Sequence, residues 1–71
     1  PASALADSVM AALLAAAAAA GSQVNLRLNV EAAGRPPRLR VLLDESEAVL
    51  RETQRAARDV RLMVDERPEL G

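Results

Sequence analysis

The residues of this chain that could carry out chemistry are mainly carboxylates, and they form two clusters. The first is Asp44, Glu45 and Glu47, and the second is Asp65, Glu66 and Glu69. Paired acids can perform general acid–base catalysis or bind a hard cation. Catalysis needs an acid that is buried with a shifted pKa, and the sequence shows no apolar pocket around either cluster. We therefore expect Asp44 to cap a helix and the other acids to be solvated.

The possible nucleophiles are hydroxyl groups, on Ser3, Ser8, Ser22, Ser46 and Thr53. Cys, His, Lys and Tyr are absent, so no imidazole base could activate a hydroxyl and no zinc site is expected. Three isolated glycines cannot form a phosphate-binding loop. We predict no catalytic, cofactor-binding or metal-binding residue and no enzymatic activity. Met10 and Met63 are interpreted as core-filling side chains.

All nine cations of the chain are arginines, and ten acids bring the net charge to −1. Two groups could meet phosphates. One is Arg51, Arg55 and Arg58 on the polar face of the last helix, and the other is Arg27, Arg38 and Arg40 on the outer face of a predicted β-hairpin. Acids four residues away, in Glu47–Arg51, Arg55–Asp59 and Arg61–Asp65, would neutralise much of the helical group. Without an aromatic side chain no base can be stacked. We expect no nucleic-acid or small-molecule ligand.

The stretch from Val9 to Ala20 is wholly apolar. Its length suits the core of a signal peptide, but the first positive charge is Arg27, which lies after it. As a helix it would span about 18 Å, against roughly 30 Å of membrane hydrocarbon. We interpret it as a buried helix with no membrane role, and the compartment stays open.

The first predicted element is a helix over residues 3–20. Ser3 can serve as its N-cap, and Ala has the highest helix propensity. Apolar residues at helical spacing would form its buried face: Leu5, Val9, Ala12, Leu13, Ala16 and Ala20. Gly21 is a typical residue to end a helix.

Two β-strands are predicted next, over residues 23–31 and 38–43. Val24, Leu26, Leu28 and Val30 alternate with polar residues, as in a half-buried strand. Residues 32–37 contain Gly34, Pro36 and Pro37 and predict a turn. An antiparallel register that pairs Glu31 with Arg38 places all the apolar residues on one face.

A second helix is predicted over residues 45–66. Asp44 followed by Glu47 resembles a capping box, and Val49, Thr53, Ala56, Val60 and Met63 recur at spacings of three and four. The alternation of Val60, Leu62 and Val64 leaves a third strand over residues 60–65 as the alternative, but no turn residue separates it from what precedes.

These elements predict one small α+β domain over residues 1–71, a two-layer αββα fold with both helices on the apolar face of the hairpin. A two-stranded sheet has two open edges, and a chain of this size buries little surface. We therefore expect a homo-oligomer, formed through the strand edges or through the Ala-rich helix face.

The amino-acid alphabet of the chain is unusually small, because Ile, Phe and Trp are missing as well. Either a GC-rich genome or a designed sequence could produce this composition. We favour a de novo designed scaffold without an evolved activity. The alternative is a natural interaction module from a GC-rich organism.

Residues 25–31, Gly34-Arg35, 40–44 and 48–52 resemble the hairpin region of flagellar FlaG-type proteins, which also place a helix first. The chain departs from that pattern at Thr53-Gln54, where Ile-Pro is usual. The resemblance implies a flagellum-associated accessory protein and a strand over residues 48–53.

Overall fold

The computed structural model describes residues 2–67 and shows two helices joined by a tight turn. Helix α1 runs Ala2–Ala32 and helix α2 runs Pro37–Asp65. They pack against each other as an antiparallel hairpin with extents of 53 × 14 × 13 Å. The predicted α+β fold is therefore wrong, because residues 2–67 contain no strand.

Both predicted strands are helical. Residues 23–31 continue α1 beyond Gly21, and residues 38–43 form the first turns of α2. Once the Ala-rich segment has formed a helix, extending it costs little, since only nucleation is expensive. Val24, Leu28 and Val41, which we expected on the buried face of a sheet, are each more than half exposed. The predicted strand register is therefore also wrong, and Glu31 pairs with Arg35 instead of Arg38.

The two helices meet along a seam in which covered residues alternate at spacings of three and four. In α1 the seam consists of Leu5, Val9, Ala12, Ala16, Ala19, Gln23, Leu26 and Val30. In α2 it consists of Leu39, Leu43, Ser46, Leu50, Thr53, Ala57, Val60 and Val64. An average spacing of 3.5 residues is typical of a left-handed coiled coil. The period-two alternation over residues 24–30 therefore concealed a period of 3.5.

The turn between the helices follows the residues that the sequence indicated. Gly34 has φ +82°, and the amide of Arg35 donates to the Val30 carbonyl at 3.0 Å while the amide of Gly34 donates to Glu31 at 3.1 Å. This pair of hydrogen bonds is a Schellman motif, which ends a helix at a left-handed glycine. Pro37 then occupies the first position of α2, where a missing N–H costs nothing. The predicted turn is confirmed, and Gly34 rather than Gly21 ends the first helix.

The predicted helix over residues 45–66 is confirmed in substance, but α2 begins eight residues earlier. Asp44 and Glu47 therefore lie within the helix and form no capping box. Ser3 likewise lies inside α1 and is not its N-cap. The alternative third strand over residues 60–65 and the strand implied over residues 48–53 are both parts of α2.

Candidate interaction surface

The one polar residue buried among the described residues, Gln23, lies in the middle of the seam and is 5% exposed. Its Nε2 atom donates to Oε1 of Glu47 at 3.5 Å, and the Arg27 guanidinium lies 3.9 Å from the same oxygen. A polar group within a coiled-coil seam favours the register in which its partner is available. This cluster therefore aligns α1 with α2 and is a structural feature of the hairpin.

The carboxylates considered for catalysis lie apart along the surface of α2. Asp44, Glu45 and Asp65 are exposed, and Glu69 falls outside the described residues. Across residues 2–67 no group of three or more acidic, His or Cys side chains is placed to hold a metal ion.

The hydroxyl groups that might act as nucleophiles bond to their own helices. Ser8 donates to the Ala4 carbonyl at 3.0 Å, Ser46 to Leu43 at 2.7 Å and Thr53 to Val49 at 2.8 Å. Such bonds satisfy hydroxyls inside helices. These three hydroxyl groups therefore have structural partners within their helices.

The arginines of α2 line its solvent side. Arg61 pairs with Asp65 at 3.2 Å as predicted, whereas Glu47 turns toward α1 and contacts Arg27 instead of Arg51. Arg35, in the turn, is bound by Glu31 at 2.7 Å, and this hydrogen-bonded pairing raises the pKa of its guanidinium. Arg27, Arg38 and Arg40 do not share a sheet face, because the described residues form no β-hairpin.

An exposed apolar surface runs along α1 on the side away from the seam. We call it the outward face of α1, and it consists of Met10, Leu14, Ala17, Gly21, Val24 and Leu28. Their spacings of four and three place them in one straight stripe, about 150° around the helix from the seam. Met10 is 61% exposed and Leu14 is 64% exposed. A helix that is apolar on all sides is typically buried on all sides, and α1 is covered on one side only.

The hairpin exposes more surface than a compact protein of the same mass. The chain exposes 5277 Å², whereas a compact monomer of its mass, 7.5 kDa, is expected to expose about 4,200 Å². Its radius of gyration is 16.1 Å, against about 11 Å for a compact domain of this length. The excess area, about 1,000 Å², is similar to what one partner buries in a standard protein interface.

Helix α2 carries a narrower apolar stripe beside the seam, which we call the side stripe: Leu42, Val49, Ala56 and Met63. Leu42 is 48% exposed. Charged residues lie next to this stripe along the length of α2, among them Glu45, Glu52 and Arg55. By contrast, no charged residue occurs in α1 between Ser8 and Leu26. Charged residues are depleted from interface cores, and by this criterion the outward face of α1 is the stronger candidate surface.

Sequence reasoning missed the outward face because it assigned Val24 and Leu28 to a sheet and residues 9–20 to a buried helix. That segment is helical, but most of its circumference is exposed. The spacing of Met10, Leu14, Val24 and Leu28 was the signal that could have found this surface. By length and composition, Ser3–Ala32 is also apolar enough to cross a membrane.

The comparisons with known proteins do not extend this description. The sequence matches no protein-family model, no curated protein and no solved structure.

Proposed function

We propose that this chain is a structural interaction module that self-associates through the outward face of α1 and performs no catalysis. The observation that carries the proposal is the exposure of a continuous apolar stripe on a helix that lacks charge between Ser8 and Leu26. Burying apolar surface is the main driving force of protein association. The scaffold role fits either a designed chain or a natural interaction module.

A second copy of the chain can cover this face without disturbing the hairpin. The outward face lies on the opposite side of α1 from the seam, so both surfaces can be covered at once. The excess exposed area of the whole chain is similar in size to what one partner buries in a standard interface. Ala17 and Gly21 at its centre would allow two helices to approach near the lower end of the usual 8–10 Å separation.

Membrane insertion of α1 is the second candidate, because Ser3–Ala32 has the length and hydropathy of a span. Two observations make it the weaker one. Asn25, Arg27 and Asn29 interrupt the apolar character of the C-terminal third of α1. Insertion would also separate α1 from α2 and expose the seam residues Leu39, Leu43 and Leu50 to water.

The proposal is tested by comparing Leu14→Glu with Leu42→Glu in sedimentation equilibrium. Both leucines are exposed, so neither change disturbs the seam. A carboxylate buried without a partner is strongly unfavourable, so Leu14→Glu should raise the dissociation constant of self-association more than about tenfold. Leu42→Glu on the side stripe should change it less than about threefold.

The opposite ranking of the two variants would assign the interface to α2 and overturn the proposal. A wild-type chain that stays monomeric in buffer but floats with phospholipid vesicles, and loses this binding in Leu14→Glu, would establish the membrane candidate instead. Circular dichroism of both variants controls for unfolding, because each should retain the helical spectrum of the wild type.

A further inference from the structure

We infer that the two copies pack their α1 helices antiparallel, with the twofold axis between Ala17 and Gly21. This inference rests on the proposed function, since it specifies the arrangement of the same interface. It follows from two properties of the outward face, the order of its side-chain sizes and the charges at its two ends.

The side chains of the outward face form a palindrome in size. Two large residues, Met10 and Leu14, precede two small ones, and two large residues, Val24 and Leu28, follow. In an antiparallel pair centred on residue 19, Met10 faces the partner's Leu28 and Leu14 faces the partner's Val24. Ala17 then faces the partner's Gly21, so the smallest residues meet at the centre. The two helices can therefore approach closely there while larger side chains pack at both ends.

The charges at the ends of α1 distinguish the antiparallel from the parallel arrangement. The N-terminal end of the stripe carries Asp7 and no described cation. At the C-terminal end, Glu31 continues the stripe but is bound by Arg35 at 2.7 Å, and Arg27 lies 3.9 Å from Glu47, so these charges are neutralised by their partners. In the antiparallel register, Asp7 of one copy faces the neutralised Glu31–Arg35 pair of the other. Parallel packing would instead place Asp7 beside the partner's Asp7, and such juxtaposed like charges disfavour a pairing.

Spin labels can measure this arrangement directly, because the chain contains no cysteine of its own. Ser8→Cys and Ser22→Cys each introduce one labelling site, and both positions are exposed and lie two heptads apart on one face of α1, off the outward face. About residue 19, an antiparallel pair separates the two Ser8 labels by about 33 Å along the axis and the two Ser22 labels by about 9 Å. A parallel pair gives nearly the same short distance at both sites.

Pulsed electron–electron double resonance on the self-associated chains should give a longer distance between the two Ser8→Cys labels than between the two Ser22→Cys labels. The expected difference is more than about 15 Å. Adding Leu14→Glu to either labelled chain should abolish the intermolecular signal, and adding Leu42→Glu should preserve it. Equal short distances would overturn the antiparallel arrangement while leaving the proposed function intact. If neither labelled chain gives an intermolecular distance, the proposed function fails and this inference fails with it.

Discussion

The two helices of this hairpin build the same seam but differ on the side that the seam does not cover. Helix α2 contains six arginines and six acids, so its uncovered side is largely solvated. Helix α1 has three charged residues, Asp7, Arg27 and Glu31, and its uncovered side is apolar for most of its length. Each helix therefore satisfies the requirement of the hairpin, but only α2 is also complete as a surface helix. This difference is the basis of our proposal that a second copy covers α1.

The restricted alphabet limits the side chains from which the seam is built. With no aromatic residue and no Ile, the seam is built from Leu, Val and Ala with three polar residues. Ala57 is one of its most covered positions, and Ala16 lines the same groove. Small side chains allow close approach but bury little area, so each helix gains modest stabilisation from the seam. An additional interface on α1 would add the apolar burial that the hairpin alone lacks.

The two helices share the seam, and a charge at one of its most buried positions should destabilise the hairpin most strongly. Ala57→Glu should destabilise the hairpin by about 3 kcal/mol or more, since it buries a carboxylate without a partner. Ala56→Glu is the matched control, because Ala56 is adjacent and exposed, and it should cost less than about 0.5 kcal/mol. Thermal unfolding followed by circular dichroism measures both. Equal losses in the two variants would mean that the seam of α2 has a different register.

Two glycine substitutions with smaller expected effects compare the middle of α1 with its C-terminal end. Gly34→Ala places a side chain at φ +82° and should destabilise the hairpin by about 1 kcal/mol. Gly21→Ala lies within the helix and should stabilise it by a similar amount, about 1 kcal/mol, through helix propensity alone. No atom lies within 4 Å of the added Cβ at either site, so steric clashes do not enter.

The melting temperatures of the two glycine variants should therefore move in opposite directions, by about 4–8 °C each for a chain of this size. The measurement is made at a concentration low enough to keep the chain monomeric. A destabilised Gly21→Ala chain would show that α1 is interrupted at Gly21, as the sequence first suggested.

The sequence predicted correctly those parts of the fold where a single residue determines the backbone conformation. Gly34 with the two prolines marked the turn correctly, because a left-handed glycine and a proline at the first helical position have few alternatives. The helix over residues 45–66 was also predictable from its 3–4 spacing. The capping signal at Asp44 gave a wrong start for α2. The helix begins at Pro37, so Asp44 lies inside it, and a capping residue acts only at a helix end.

The strand prediction failed because alternation and helical spacing coincide over short segments. Between Val24 and Val30 every second residue is apolar, and so are positions that lie four apart, such as Leu26 and Val30. The longer pattern of α1 distinguishes helix from strand, because Gln23, Leu26 and Val30 continue the spacing of three and four that begins upstream and includes Ala16. The outward face could not be recognised while half of its large residues were assigned to a sheet. The designed origin that the alphabet favours stays a prediction.

The mass of the unaltered chain in solution is the most direct test of the claim that the outward face of α1 is a binding surface. Static light scattering after size exclusion, repeated from low to high micromolar concentration, should give a mass that approaches twice the 7.5 kDa of a single chain. A mass that stays at that of one chain throughout the range would contradict the claim.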